Sequence, residues 1–461
     1  MAKTIRRLKR SVQKVARAGG MSVKDAALVA QMVVTIARTG KVHLSEVARS
    51  ILGRDEELID AERAVSEQLA AKHSTIDGLG DGWLRVAAPA AKRLPFIAVD
   101  GSEHAKPYAK AMEHLEFVRD ASDPLKRIVH GYRTVQIDAL DEKHQTLPLV
   151  SHVFSKNAPE FKSKQDTFLR AMTKVIVRLG REHTWLFDRG FDATDFLRAL
   201  MTLRIHWVVR QTQMRNLVLS TGELVPMRLL ATGLRKPHAV DVPYVDKNSH
   251  ETRHVSVSFG YAPVRLPGID ASLTMIVVRG GRNEDLVLLT NARLMGPDEV
   301  AQIVMAYLRR WGSEESTRAF KQLTGIEDFR VRKWESIKRA DAHCHDGLRH
   351  SGADAPSTGQ HGCALHRACP TVHRERTAQE LPPLARDPGR VDQQRLTPQS
   401  PAGLQRQLRH RRSWATTPTA PLRYNRDSLR GKGGDAAAHR QTAHLSWSRD
   451  QRPRKRETPA M

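Results

Sequence analysis

The first 340 residues of this 461-residue chain contain no cysteine; Cys344, Cys363 and Cys369 all come later. No disulfide framework can therefore staple the body of the protein. Apolar runs of about 18 residues, the length that crosses a bilayer, are also missing. Aromatic residues make up only 5% of the chain. The N-terminal stretch MAKTIRRLKRSVQKVARAGG is basic, but no apolar segment or cleavage site follows, so it does not read as a secretory signal. What the chain has in excess is positive charge, a formal +25. That balance is too basic for a typical metabolic enzyme and suits a polyanionic partner, DNA or RNA. The reading is a cytoplasmic protein without membrane association, long enough for two or three domains.

The segment AQIVMAYLRRWGSEESTRAFKQL carries Tyr307, Arg310, Glu314 and Lys321 at offsets of three, four and seven. At about 3.6 residues per turn these offsets line one stripe of a helix. A buried stripe is apolar, whereas this one bears a phenol, a guanidinium, a carboxylate and an ammonium. A carboxylate between two cations suits a site that holds a metal ion against a polyanion. Solvated helix faces also pair Arg with Glu at this spacing, so the stripe alone leaves both readings open. Trp311, beside Arg310, is placed to stack on an extruded base or simply to pack in a core.

Two upstream carboxylates strengthen the first reading. Asp100 ends the apolar run LPFIAVD and Asp188 ends HTWLFD. Each alone could be a strand running into a turn. With Glu314 they make three carboxylates from two strands and a helix. Mg²⁺ is a hard ion that takes only a few oxygens from protein. Such a set can hold two ions in line with a phosphodiester. Arg189, directly after Asp188, is either a further phosphate contact or a surface residue.

With these motifs in this order, the chain from about Leu94 to Lys338 resembles the DDE transposases of bacterial insertion sequences. The resemblance is to their IS-four-like branch, marked by Tyr, Arg, Glu and Lys at the spacing seen here. It implies an α/β, ribonuclease-H-like catalytic core, with Asp100 on the first strand, Asp188 on the fourth and Glu314 on a late helix. It implies that these three residues bind divalent metal, Mg²⁺ with Mn²⁺ able to substitute. Tyr307, Arg310 and Lys321 then grip phosphates near the cleaved end. The implied partner is double-stranded DNA, both transposon ends and target, bound by a homodimer at the bacterial nucleoid. The implied chemistry is hydrolysis at the transposon end, followed by attack of the freed 3′-hydroxyl on a second phosphate. Two alternatives stand beside it. One is a catalytically inactive DNA-binding relic of a transposase. The other is a ribonuclease-H-like nuclease, which would not need the Tyr-Arg-Lys set.

Residues 1–92 read as an all-helical DNA-binding domain. Apolar residues recur at helical spacing in VKDAALVAQMVVTIART, HLSEVARSILG and LIDAERAVSEQLA. The stretch from Gly40 to Ala48 reads as part of a helix-turn-helix unit. Lys3, Arg6, Arg7, Lys9, Arg10, Lys14 and Arg17 crowd the first helix. Of these, Arg6, Lys9 and Arg10 are the chosen phosphate contacts, against the plainer reading of a solvated face.

Residues 93–339 read as the core. PFIAVD, GYRTVQIDAL and TLPLVSHVFS are expected as an antiparallel meander. A helix over 164–180, the strand TWLFD, a helix over about 192–203 and the strand HWVVRQT follow. Residues 213–284, with the β-type runs LVPMRLL, RHVSVSFG and LTMIVVRGG, are too long for a simple connection and read as a β-rich insertion. The last helix should start near Pro297, with acids in its first turn.

From residue 340 the character of the chain changes. There is no Ile, the only valines are Val372 and Val391, and nine of the 21 histidines fall there. Without β-branched aliphatics this basic tail cannot offset the entropy of ordering it. It reads as frameshifted or naturally disordered sequence. A zinc site from His343, Cys344, His345, Cys363, His366 and Cys369 is the weaker alternative, because its cysteines lack the usual spacing.

Overall fold

Where apolar residues recur three and four apart, the chain is helical. A computed structural model describes residues 2–342, apart from 53–56, 73, 121–122, 142–145, 246–251, 281–284, 311–316, 319–320 and 322–324. Its N-terminal helices are α1 (Ala2–Ala18), α2 (Val23–Thr39), α3 (Leu44–Leu52), α4 (Leu58–Ala70) and α5 (Leu79–Ala91). Ser22 caps α2 by accepting from the Asp25 N–H at 3.0 Å. Gly40, at φ 64°, ends α2 in the left-handed conformation that glycine adopts without strain. Helices α1 and α5 approach closely enough that a Cβ on Gly82 would lie 2.3 Å from the Val15 carbonyl oxygen.

The strands are β1 (Phe96–Ala105), β2 (Glu116–Arg119), β3 (Ile128–Leu140), β4 (Thr146–Phe154), β5 (Thr184–Phe187) and β6 (His206–Arg210). Strand β3 pairs antiparallel with β1 along one edge and with β2 and β4 along the other. Strand β1 pairs parallel with β5, and β5 parallel with β6. The order is therefore β4-β3-β1-β5-β6, and β2 is an addition to the expected meander. Crossovers between the parallel strands are α6 (Lys164–Leu179) and α7 (Thr194–Thr202).

The segment read as an insertion extends this same sheet. It contains β7 (Asn216–Val218), β8 (Leu224–Pro226), α8 (Met227–Gly233), β9 (His238–Val245), β10 (Thr252–Leu266) and β11 (Ile269–Arg279). Strand β12 (Leu286–Thr290) follows and joins β6 to β11, both antiparallel. One part of the reading needs correcting. LVPMRLL is a strand only to Pro226; Met227, Leu230 and Ala231 are buried at helical spacing in α8. Helices α9 (Pro297–Arg309) and α10 (Trp334–Ala342) follow. No helix among the described residues is long and apolar enough to cross a membrane.

The central strands are buried on both faces, so their side chains sort by parity. Ile97, Val99, Trp185, Phe187, Trp207 and Val209 join the core that includes α5, α6 and α7. Ala98, Leu186 and Val208 join the opposite core, which packs against Val300, Ile303, Val304 and Tyr307 of α9.

Helix α10 ties the sheet to the N-terminal helices. Arg339, only 3% exposed, grips Asp77 through two bonds of 2.9 and 2.8 Å. It also donates to the carbonyls of Leu69 and Ala71 at 2.7 and 2.9 Å. Ala340 and Asp341 are buried, so folded structure passes the position where the composition changes. Replacing Arg339 by Ala strands two carbonyls and a carboxylate, and should cost on the order of 3 kcal/mol. Urea unfolding of the full chain checks this; Asp77→Asn, at a mostly exposed position, should cost less.

Candidate active site

Parity also builds the site. Two residues beyond Ala98, Leu186 and Val208 stand Asp100, Asp188 and Arg210, which therefore face the α9 side of the sheet. Val99 pairs with Phe187, and Phe187 with Val209, so the next residues lie side by side on neighbouring strands. Strands in a sheet are about 4.8 Å apart, so the two carboxylates are forced together. On the other face, Gly101 leaves room for α6: a Cβ there would sit 3.2 Å from the Phe168 ring.

Two like charges in such proximity need a counter-charge, and Arg310 provides it. Its Nη1 lies 3.5 Å from Asp100 Oδ2 and its Nη2 lies 3.8 Å from Asp188 Oδ1. Arg210 Nη1 is 3.9 Å from the same Asp188 oxygen. A unit pair at 4 Å is worth about 4 kcal/mol at an effective dielectric of 20, so this is a strong local constraint. The Arg310 side chain is 8% exposed, against 28% and 34% for the two aspartates. Arg310 is also the C-cap residue of α9, its N–H bonded to Ala306 and Tyr307 carbonyls at 3.1 and 3.2 Å.

Tyr307 lies one turn earlier, with the Arg310 guanidinium 5.7 Å from its ring centroid. Burial pushes its phenol up to about 12, only partly opposed by the Arg310 charge, so the hydroxyl stays protonated. Gln136, opposite Asp100 in the register, is buried and donates to Asp138 at 3.2 Å. Asp138 is itself buried on the same face as Asp100.

The structure thus brings together Asp100, Asp188, Tyr307 and Arg310. Glu314 and Trp311 lie outside the described residues. Of the stripe expected from Tyr307 to Lys321, Tyr307 lies on α9, Arg310 caps it, and residues 311–316 lie outside the described residues. Lys321 donates to the Glu103 carbonyl and pairs with Glu327 at 3.1 Å. Arg189 is exposed in the 3₁₀ turn Arg189–Phe191 after β5. Arg6 and Arg10 are exposed on α1, whereas Lys9 is half-buried and bonded to Gln31 at 3.2 Å. The residues proposed for zinc all lie outside the described part. Sequence reading missed Arg210, Gln136 and Asp138. Arg210 could have been found by counting two residues on from Val208, once β6 was aligned with β5.

Among the described residues no group of three or more His, Cys, Asp or Glu side chains could hold a metal ion. The pair Asp100 and Asp188 nevertheless fits one. Both are hard oxygen donors converging on a positive charge, and Asp188 Oδ1 is shielded from solvent with no hydrogen bond among the described residues. A third carboxylate is needed to complete such a set.

Residues 96–342 match the family described as Transposase DDE domain. That is more than half of the chain, which therefore belongs to this family of transposases. Among curated proteins none matches. A solved structure with some likeness is the cryo-electron-microscopy structure of the piggyBac transposase synaptic complex with hairpin DNA. It shares 10% identity over 72% of this chain and 67% of that one, with a TM-score of 0.38.

The raised Tyr307 phenol has a consequence for stability. A folded-state value of about 12 against about 10 when unfolded means the contribution is complete below pH 10 and lost as pH rises toward 12. At pH 11 the native chain should therefore lose about 1.4 kcal/mol more, relative to pH 8, than its Tyr307→Phe variant. Urea unfolding of both proteins at the two pH values checks the difference.

Proposed function

We propose that this chain is a transposase that binds the ends of an insertion sequence and carries out metal-dependent DNA cleavage and strand transfer. The observation that carries the reading is the pairing of Asp100 with Asp188 on one guanidinium, within the family-matched region. Asp100, Asp188 and Glu314 are the residues that hold divalent metal. Bound there, Mg²⁺ or Mn²⁺ supplies an activated water and neutralises the leaving 3′ oxygen. Arg210 and Arg310 offer a phosphate two guanidiniums, whose planar forks suit its oxygens. Tyr307 stays neutral and contributes a hydroxyl rather than a charge.

The strand order β4-β3-β1-β5-β6, with β3 antiparallel to both of its neighbours and β5 and β6 parallel to β1, supports a ribonuclease-H-like core over residues 93–339. The β-rich insertion runs over about 213–284, and the helices of residues 1–92 form the DNA-end-binding domain. Double-stranded DNA is the partner, engaged by a homodimer at the nucleoid. The Tyr307, Arg310, Glu314 and Lys321 spacing supports the IS-four-like branch. The tail reads as out-of-frame sequence; a second reading frame restoring an apolar helix in the gene would support that.

A supercoiled plasmid carrying the DNA that flanks the gene provides the assay. Asp100→Asn, Asp188→Asn and Glu314→Gln should each lower Mg²⁺-dependent nicking on the order of a thousandfold or more. Binding to the same DNA in a gel-shift assay should survive. Any one of these variants nicking at the native rate refutes its assignment as a metal ligand.

The basic helix predicts a separate result. Changing Arg6 and Arg10 together to Gln removes two phosphate contacts and should reduce the slope of log affinity against log salt by about 2. Lys9→Gln should change it less, because Lys9 is tied to Gln31. A changed sequence preference with an unchanged slope would mean that α1 reads bases.

A further inference from the structure

Arg310 touches both carboxylates that the proposed function assigns to metal, and it is almost completely buried there. Arg210 adds a second positive charge on Asp188. Two carboxylates facing two guanidiniums form a neutralised cluster. A divalent ion takes carboxylate oxygens at about 2.1 Å, and Arg310 Nη1 stands 3.5 Å from one of them, so ion and guanidinium would be within about 6 Å. At that separation, in a shielded site, a doubly charged ion and a guanidinium repel strongly.

We infer that Arg310 is the exchangeable counter-cation of the Asp100–Asp188 pair, so that divalent metal and the Arg310 guanidinium compete for the same oxygens. Arg310 keeps the two carboxylates together when no metal is bound. Metal entry releases the guanidinium, which becomes available to an incoming anion on the α9 side of the sheet. Metal and polyanion thereby help one another through one side chain, without a change elsewhere in the fold. The position of Arg310 at the end of α9 allows this, because a C-cap side chain can turn away while its backbone bonds to Ala306 and Tyr307 persist. The inference deepens the proposed function by assigning a positioning role to Arg310, and it rests on Asp100 and Asp188 being metal ligands.

Mn²⁺ binding to the full chain without DNA tests it, followed by electron paramagnetic resonance of the free ion. Arg310→Gln should bind Mn²⁺ about tenfold more tightly than the native chain, a coupling of ordinary size. Arg310→Lys, which keeps the charge but cannot span both carboxylates, should fall between the two. Added Mn²⁺ should also raise the thermal midpoint of Arg310→Gln more than that of the native chain. A residue that merely supports the fold would give the opposite result, weaker binding in Arg310→Gln. Equal or weaker Mn²⁺ binding by a cooperatively folded Arg310→Gln protein overturns the inference. If that variant does not fold, Arg310→Lys decides alone: tighter binding than native supports competition, and unchanged or weaker binding overturns it. The underlying reading fails separately, if Asp100→Asn with Asp188→Asn leaves Mn²⁺ affinity unchanged.

Discussion

The parallel register of β1 on β5 is the constraint from which the site follows. Val99 opposite Phe187 places Asp100 and Asp188 side by side, and parity turns both toward α9. A slip of one residue would send every side chain of β1 to the wrong face. The slip is opposed by apolar residues on both sides of the strand: Ile97 and Val99 on one, Ala98 on the other. Burial of these apolar stretches thus fixes the placement of the charges that follow them. The fold accepts two adjacent carboxylates because α9 delivers a guanidinium to both.

Strand β1 continues past Asp100, and its far half is where the C-terminal segment docks. His104 pairs with Asp341 at 2.9 Å, both sides fully buried. Lys106 donates to the Phe329 carbonyl at 3.0 Å and sits 3.4 Å from the centroid of the Phe329 ring. Lys321 reaches the Glu103 carbonyl, and Trp334 donates its indole N–H to Glu160 at 2.7 Å. These contacts join residues more than 170 positions apart in sequence. Strand β1 therefore carries one aspartate of the site and, at Glu103 and His104, two anchor points of the segment that follows α9. Arg339 extends the same attachment to α4 and to the turn bearing Asp77.

Much of this was legible in the residues, and the exceptions have physical causes. Asp100 and Asp188 stood out because each ends an apolar run, and helix α6 was expected within a residue of its observed span. Strand β2 escaped because Glu116 looks like a surface residue; it is buried with Arg133 at 3.1 Å and the Lys156 N–H at 3.2 Å on its carboxylate. Helix α8 was misread because MRLLATG is short, and at that length apolar spacing does not separate helix from strand. Arg210 required knowing which strands are neighbours. The contacts of Lys321 to the Glu103 carbonyl and to Glu327 depend on residues outside its local pattern, so spacing alone did not show them. Local periodicity located the elements, but the partners of charged side chains depended on contacts distant in sequence.

The same reasoning bears on where the chain's normal character ends. Composition alone puts the change at residue 340, the first position after Arg339. Yet Asp341 lies in α10, 1% exposed, with its carboxylate on the His104 ring nitrogen. A buried carboxylate left without its hydrogen-bond partner costs on the order of 1–3 kcal/mol or more. Random out-of-frame sequence would seldom supply a carboxylate at the one position facing a buried histidine. Residues through Asp341 therefore behave as part of the folded chain, and the family match running to 342 agrees. Ala340, Asp341 and Ala342 suit a helix as well as they suit a low-complexity tail, so composition alone does not separate the two readings of these residues. The pairing of Asp341 with His104, 237 positions away, favours the folded reading.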